Sequence, residues 1–201
     1  GTAEEGILFY DPDTTPATAN CGTDTIVQGG VLVDGNIVRG SATASSLSFV
    51  IRMDNCVRGV VTNNIIDSLA AGTANNIGIY GGALITGNKI MNSGGRGIYT
   101  DANNVTISHN LVETTAFVGI TSVEGNLTKI IGNTVITAVS PAIDASGEEP
   151  MCIGNMSIST TAADRTIVCG AGGVGVGCTA ATAAGGVCDD HQVCNTGDAA
   201  C

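Results

Sequence analysis

Tryptophan is absent from this 201-residue chain, and only 3% of the residues are aromatic. Charge is scarce too: 12% of residues carry it, and seven Lys+Arg against eighteen Asp+Glu leave a net charge of −11. A surface this acidic repels phosphate backbones and anionic headgroups, so neither nucleic-acid binding nor membrane-surface attachment is expected. The chain also lacks the roughly half Ala, Glu, Lys, Leu and Arg that long helices use. In their place stand 29 glycines and a 43% hydrophobic share rich in Val and Ile, which is too apolar for a disordered chain. The length suits one domain or one elongated single-core module.

A convincing membrane span is missing as well. The uncharged run from Ile167 to Cys188 holds seven glycines and only Ile167, Val168, Val174, Val176 and Val187 as sizeable aliphatics. That is a poor match to about 30 Å of hydrocarbon, and no membrane insertion is expected. No positively charged N-terminal segment precedes an apolar stretch, so a signal peptide is expected to be absent or already removed.

Eight cysteines are present, five of them (Cys169, Cys178, Cys188, Cys194 and Cys201) in the last 33 residues. An even count concentrated at one end predicts disulfides and an extracellular, secreted or virion-surface setting. Cys188, Asp189, Asp190, His191 and Cys194 offer metal-ligand chemistry, but the paired Cys-x-x-Cys spacing of structural zinc sites is missing, and no metal is assigned.

The main signal is a repeat. Asp34-Gly35-Asn36, Thr62-Asn63-Asn64, Thr86-Gly87-Asn88, Ser108-His109-Asn110, Ile131-Gly132-Asn133 and Ile153-Gly154-Asn155 recur at intervals of 28, 24, 22, 23 and 22 residues. A second column, Gly78-Ile79-Tyr80, Gly97-Ile98-Tyr99, Gly119-Ile120-Thr121, Ala142-Ile143-Asp144 and Thr166-Ile167-Val168, holds intervals of 19, 22, 23 and 24. Between the columns apolar residues alternate with a period of two, as in Val31/Val33, Ala83/Ile85 and Val105/Ile107. Short strands at a 22-residue period predict the coils of a parallel β-helix, and the Leu frame of leucine-rich repeats is absent.

The triplets have a physical reading under this fold. Their middle residue is Gly, Asn or His, types that tolerate positive φ, which predicts a left-handed turn between strands. Asn36, Asn64, Asn88, Asn110, Asn133 and Asn155 then stand at one corner of successive coils, where stacked side-chain amides form a hydrogen-bonded ladder. His109 belongs to this turn series and is read as a backbone choice rather than a general base. Cys152 falls on the inward position held elsewhere by Val33, Val61, Ile85, Ile107 and Ile130, where a free Cys acts as a small hydrophobe.

Over residues 26–170 the recurring Gly-Ile-Tyr and Gly/His-Asn units, as in the stretch from Gly97 to Asn110, resemble the right-handed parallel β-helix repeats of the pectate-lyase-like superfamily. The resemblance implies an all-β, single-stranded solenoid of about six coils. The superfamily includes polysaccharide lyases, glycosidases, uronan epimerases and bacteriophage tailspikes and fibres, so the fold leaves function open. Residues 1–25 are read as an N-terminal loop or cap, and 171–201 as a Gly/Ala/Cys-rich C-terminal cap tied by disulfides.

With the Ile column inward, Tyr80, Tyr99, Thr121, Asp144 and Val168 form an outward stripe, and Tyr80 and Tyr99 are the candidate glycan-binding surface. Asp101, Glu124 and Asp144, with Glu148 and Glu149 nearby, are the candidate catalytic carboxylates of a glycosidase, which needs two such groups about 5 to 9 Å apart. The same groups would suit Ca²⁺. The seven basic residues are spread singly over the coils and form no lyase-like basic pair beside an Asp cluster. The expected function is an extracellular structural or adhesive module, such as a tail fibre, spike or surface protein, presenting strand faces to glycans or like subunits. The alternatives are a polysaccharide lyase or glycoside hydrolase, and a self-assembling homotrimer or filament subunit. Asn104, Asn126 and Asn155 begin glycosylation sequons.

Overall fold

A computed structural model of the chain describes residues 5–9, 31–39, 49–53, 59–67, 77–81, 84–123, 127–136, 141–146, 150–159, 167–169, 174–176 and 193–194. Among them all regular structure is β-strand, wound as a parallel solenoid of three sheets. The first sheet stacks Glu5–Phe9, Phe49–Met53, Ile77–Tyr80, Ile98–Thr100, Ile120–Ser122, Ile143–Ala145 and Ile167–Cys169. The second stacks Val31–Asp34, Gly59–Thr62, Leu84–Thr86, Thr106–Ser108, Lys129–Ile131, Met151–Ile153 and Val174–Val176, then adds Val193–Cys194 antiparallel at its end. The third stacks Ile37–Arg39, Ile65–Asp67, Lys89–Ser93, Leu111–Thr115, Thr134–Ile136 and Met156–Ile158. The first sheet therefore draws a strand from within residues 1–25, and the second draws one from beyond residue 170. Ile167–Cys169 and Val174–Val176, inside the run checked as a membrane span, are solenoid strands.

Inward and outward residues alternate along the strands, so every coil contributes to internal stacks on all three sheets. Ile51, Ile79, Ile98, Ile120 and Ile143 are buried in register on the first sheet. Val33, Val61, Ile85, Ile107, Ile130 and Cys152 do the same on the second, and Ile66, Ile90, Val112 and Val135 on the third.

All six turn positions between the second and third sheets have positive φ: Gly35 +66°, Asn63 +55°, Gly87 +65°, His109 +53°, Gly132 +61° and Gly154 +59°. The asparagines that follow are linked rung to rung. Asn36, Asn64, Asn88, Asn110 and Asn133 each donate both the backbone N–H and side-chain Nδ2 to the Oδ1 of the Asn in the next coil, at 2.9–3.0 Å. Nδ2 also reaches back to the preceding coil, where Val33, Val61, Ile85, Ile107 and Ile130 supply carbonyls. This corner is thus buried without stranding its polar atoms.

Glycine in the Gly-Ile-Tyr units answers a different constraint. A Cβ on Gly97 would stand 2.7 Å from the carbonyl oxygen of Gly119, so the coils approach too closely there for a side chain.

One expectation is corrected. Cys152 is not a free thiol in the core: it is disulfide-bonded to Cys169, with the Cα atoms 6.5 Å apart. Both positions face inward, Cys152 beneath Ile130 and Cys169 beneath Ala145, so the bridge crosses the core from the second sheet to the first.

Candidate functional site

The first sheet carries the outward residues with most chemistry. Parallel register aligns Arg52, Tyr80, Tyr99, Thr121, Asp144 and Val168 in one column along the solenoid axis. Because a strand repeat is about 4.8 Å, equivalent rings in successive coils meet face to face. Tyr80 and Tyr99 do so, with ring centroids 5.3 Å apart and planes 12° from parallel.

Two guanidinium groups extend this stack. Arg52 lies 5.6 Å from the Tyr80 centroid, while Arg96 lies 5.1 Å from Tyr99 and 5.2 Å from Phe117. Cation–π contacts of this kind contribute about 0.5–2 kcal/mol each, more as the pair is desolvated. Arg52, Tyr80, Tyr99, Arg96 and Phe117 form a continuous assembly over several coils. Phe117 is 43% exposed, leaving an apolar ring at the surface.

Asp101 joins the assembly from the chain just beyond Thr100. Its Oδ2 accepts the Tyr80 hydroxyl at 3.0 Å, and its buried Oδ1 has no hydrogen-bond partner in the structure. Burial pushes the Tyr80 phenol well above its ordinary range, and the charge and hydrogen bond of Asp101 add to the shift, with Tyr99 contributing and Arg52 opposing.

The outward stripe is not uniformly open. Thr121 is only 1% exposed, its Oγ1 without a hydrogen-bond partner, so this position is covered rather than offered to solvent. Asp144, in register with Thr121 and Val168, is half-buried. The register leaves it two coils from Asp101, about 10 Å along the axis at the usual strand spacing. Glu124, Glu148 and Glu149 lie outside the described residues. The structure thus brings Asp101 together with Tyr80 and Tyr99 and sets Asp144 farther along the column.

His109 is exposed in its turn, and its ring lies 3.3 Å from where a Cβ on Gly132 would stand. Gly132 itself stands at φ +61°, the left-handed backbone that glycine adopts without strain. Among the described residues no three His, Cys, Asp or Glu side chains form a group able to hold a metal ion. Of the terminal cysteines, Cys169 pairs with Cys152 and Cys194 lies in the final antiparallel strand, whereas Cys178, Cys188 and Cys201 lie outside the described residues.

Reading the sequence did not reveal Arg52, Arg96 or Phe117 as partners of the tyrosines. A signal for Arg52 exists, since Val50-Ile51-Arg52 is one more member of the Ile column, 28 residues before the next. Compared with protein-family models, with curated proteins and with solved structures, the chain matches none.

Proposed function

We propose that this protein is a structural or adhesive β-helix module of an extracellular surface, contacting glycans or partner subunits through its strand faces. The observation that carries this reading is the axial assembly of Arg52, Tyr80, Tyr99, Arg96 and Phe117 on the outward side of the first sheet. Aromatic groups held rigid by a stacked backbone contact a ligand at low entropic cost, and their apolar rings suit the C–H faces of sugars while Tyr, Arg and Asp satisfy hydroxyls. The disulfide across the C-terminal coils fits an oxidising compartment. We read the solenoid as pectate-lyase-like on its Gly-Ile-Tyr and Gly/His-Asn repeats.

The test is retention on immobilised neutral and uronate polysaccharides. The parent is expected to be retarded on at least one, and Phe117→Ala or Tyr99→Ala to lose that retardation while keeping the parent's circular dichroism. Failure of the parent to bind any of them would sink the glycan reading. New reducing or unsaturated ends in the incubated polysaccharide would replace it with a cleaving enzyme.

A further inference from the structure

The outer face of the third sheet gathers exposed apolar side chains. Parallel register stacks its outward residues in two columns, one running from Ile37 to Met156 and the other from Arg39 to Ile158. Four of the eight exposed large hydrophobic side chains among the described residues stand here: Ile37 at 67%, Ile65 at 41%, Met156 at 49% and Ile158 at 46%. Contiguous exposed apolar surface of this kind marks an interaction face.

The charges on the face cancel, with Arg39 and Lys89 balanced by Asp67 and Glu113. Apart from these four and Thr134, the outward residues of both columns are Ile, Leu or Met. Lys89 and Glu113 already pair at 3.0 Å across adjacent strands. The whole chain carries −11, so copies of it repel one another in general. On this neutral face that repulsion is absent. A strongly charged partner gains nothing from it, whereas a second copy of the chain meets least resistance there.

We propose that the outer face of the third sheet is a homodimer interface, on which a second copy packs with its solenoid axis antiparallel. Charge selects the orientation. A parallel two-fold pairing sets each charged residue level with its own copy, Arg39 with Arg39 and Glu113 with Glu113, and like charges at one level oppose association. In the antiparallel pairing the two-fold passes between Lys89–Ser93 and Leu111–Thr115, the middle strands of the sheet, so Lys89 stands level with the partner's Glu113. The Ile37 end of each copy then covers the partner's Met156–Ile158 end, and the apolar side chains exposed at both ends leave water together. An isologous contact of this kind closes at two copies. Two outward residues on each of its strands give a smaller patch than the roughly 20–30 residues a side of a standard interface, so the dimer is weak and concentration-dependent.

This inference rests on the like-subunit half of the proposed function and is tested apart from the glycan half. Sedimentation equilibrium of the full chain, from about 5 to 500 µM at physiological salt, should show the mass rising from 19.9 kDa towards twice that value. Ile65→Asp, which buries a carboxylate in the contact, should weaken dimerisation by about tenfold or more while keeping the parent's circular dichroism and its retention on polysaccharide. In a mixture of isotopically light and heavy protein, carbodiimide should join Lys89 of one copy to Glu113 of the other. A parent that stays monomeric over the whole range would overturn the proposal and leave the face to a different partner. Dimerisation of Ile65→Asp as strong as the parent's would also overturn it, by placing the contact elsewhere.

Discussion

Asn64 gives both its backbone N–H and its side-chain Nδ2 to a single atom, the Oδ1 of Asn88, at 3.0 and 2.9 Å. The same Nδ2 also binds the carbonyl of Val33 in the coil before, so one side chain ties three coils together. The ladder is the part of this fold where one residue type is hardest to replace, because each Asn serves as donor and acceptor in both directions.

Replacing an interior rung therefore leaves several buried groups unpaired. Asn110→Ala removes the oxygen that receives two hydrogen bonds from Asn88, and it also removes the Nδ2 that serves Ile85 and Asn133. With each stranded buried group costing about 1–3 kcal/mol, the expected loss is roughly 3 kcal/mol or more in urea unfolding. A loss below about 0.5 kcal/mol, the size of an ordinary surface substitution, would contradict this account of the ladder.

Two glycines should respond to alanine for different reasons. In Gly97→Ala the new methyl meets the Gly119 carbonyl at 2.7 Å, so the coils must separate. In Gly154→Ala nothing lies within 4 Å, and only the left-handed backbone at φ +59° resists, at a cost of about 1–2 kcal/mol. The expected order of Tm is parent, then Gly154→Ala, then Gly97→Ala, and the reverse order of the two variants would show that backbone strain outweighs coil spacing.

The Cys152–Cys169 bridge closes a short loop, with a sequence separation of 17. On chain-entropy grounds a loop of this size confers about 3 kcal/mol. The double variant Cys152→Ala, Cys169→Ala is expected to unfold earlier than the parent without reductant. Peptide mapping of the oxidised parent should yield the two cysteines in one cross-linked fragment, and recovery of free Cys152 thiol would refute the pairing.

Tyr80 predicts an alkaline limit. Its phenol titrates higher in the folded chain than the value near 10 of an unfolded tyrosine, so the folded state holds this proton more tightly. The stabilisation is complete below about pH 10 and declines as pH rises above that value toward the folded pKa. Tyr80→Phe should flatten the fall of Tm between about pH 10 and 12, measured by scanning calorimetry against the parent. Identical slopes in both proteins would assign the alkaline loss to other groups.

Much of the solenoid is legible before any coordinates. The triplets mark the turns because positive φ narrows the choice to Gly, Asn and His, and the asparagines mark the rungs because stacked backbone at a buried corner needs amide partners. Buried Ile and Val at alternate positions mark the inner faces. Each is a local rule imposed again in every coil, so repetition alone makes it visible.

The remaining features depend on contacts between coils that no such rule specifies. Register across the first sheet and the lateral reach of side chains decide that Arg52 and Arg96 extend the tyrosine stack, that Asp101 serves the Tyr80 hydroxyl and that Thr121 is covered. Only the tertiary structure selects Cys169 as the partner of Cys152, because two sheets meet across the core at that level. Loops of unequal length join the strands, as the 28-residue step from Ile51 to Ile79 shows, so the column carrying Arg52 escapes a search at the shorter period. The repeating backbone, its turns and its ladder follow from rules local to the chain, whereas folding decides which outward groups meet, since those meetings arise from three-dimensional stacking rather than from spacing along the chain.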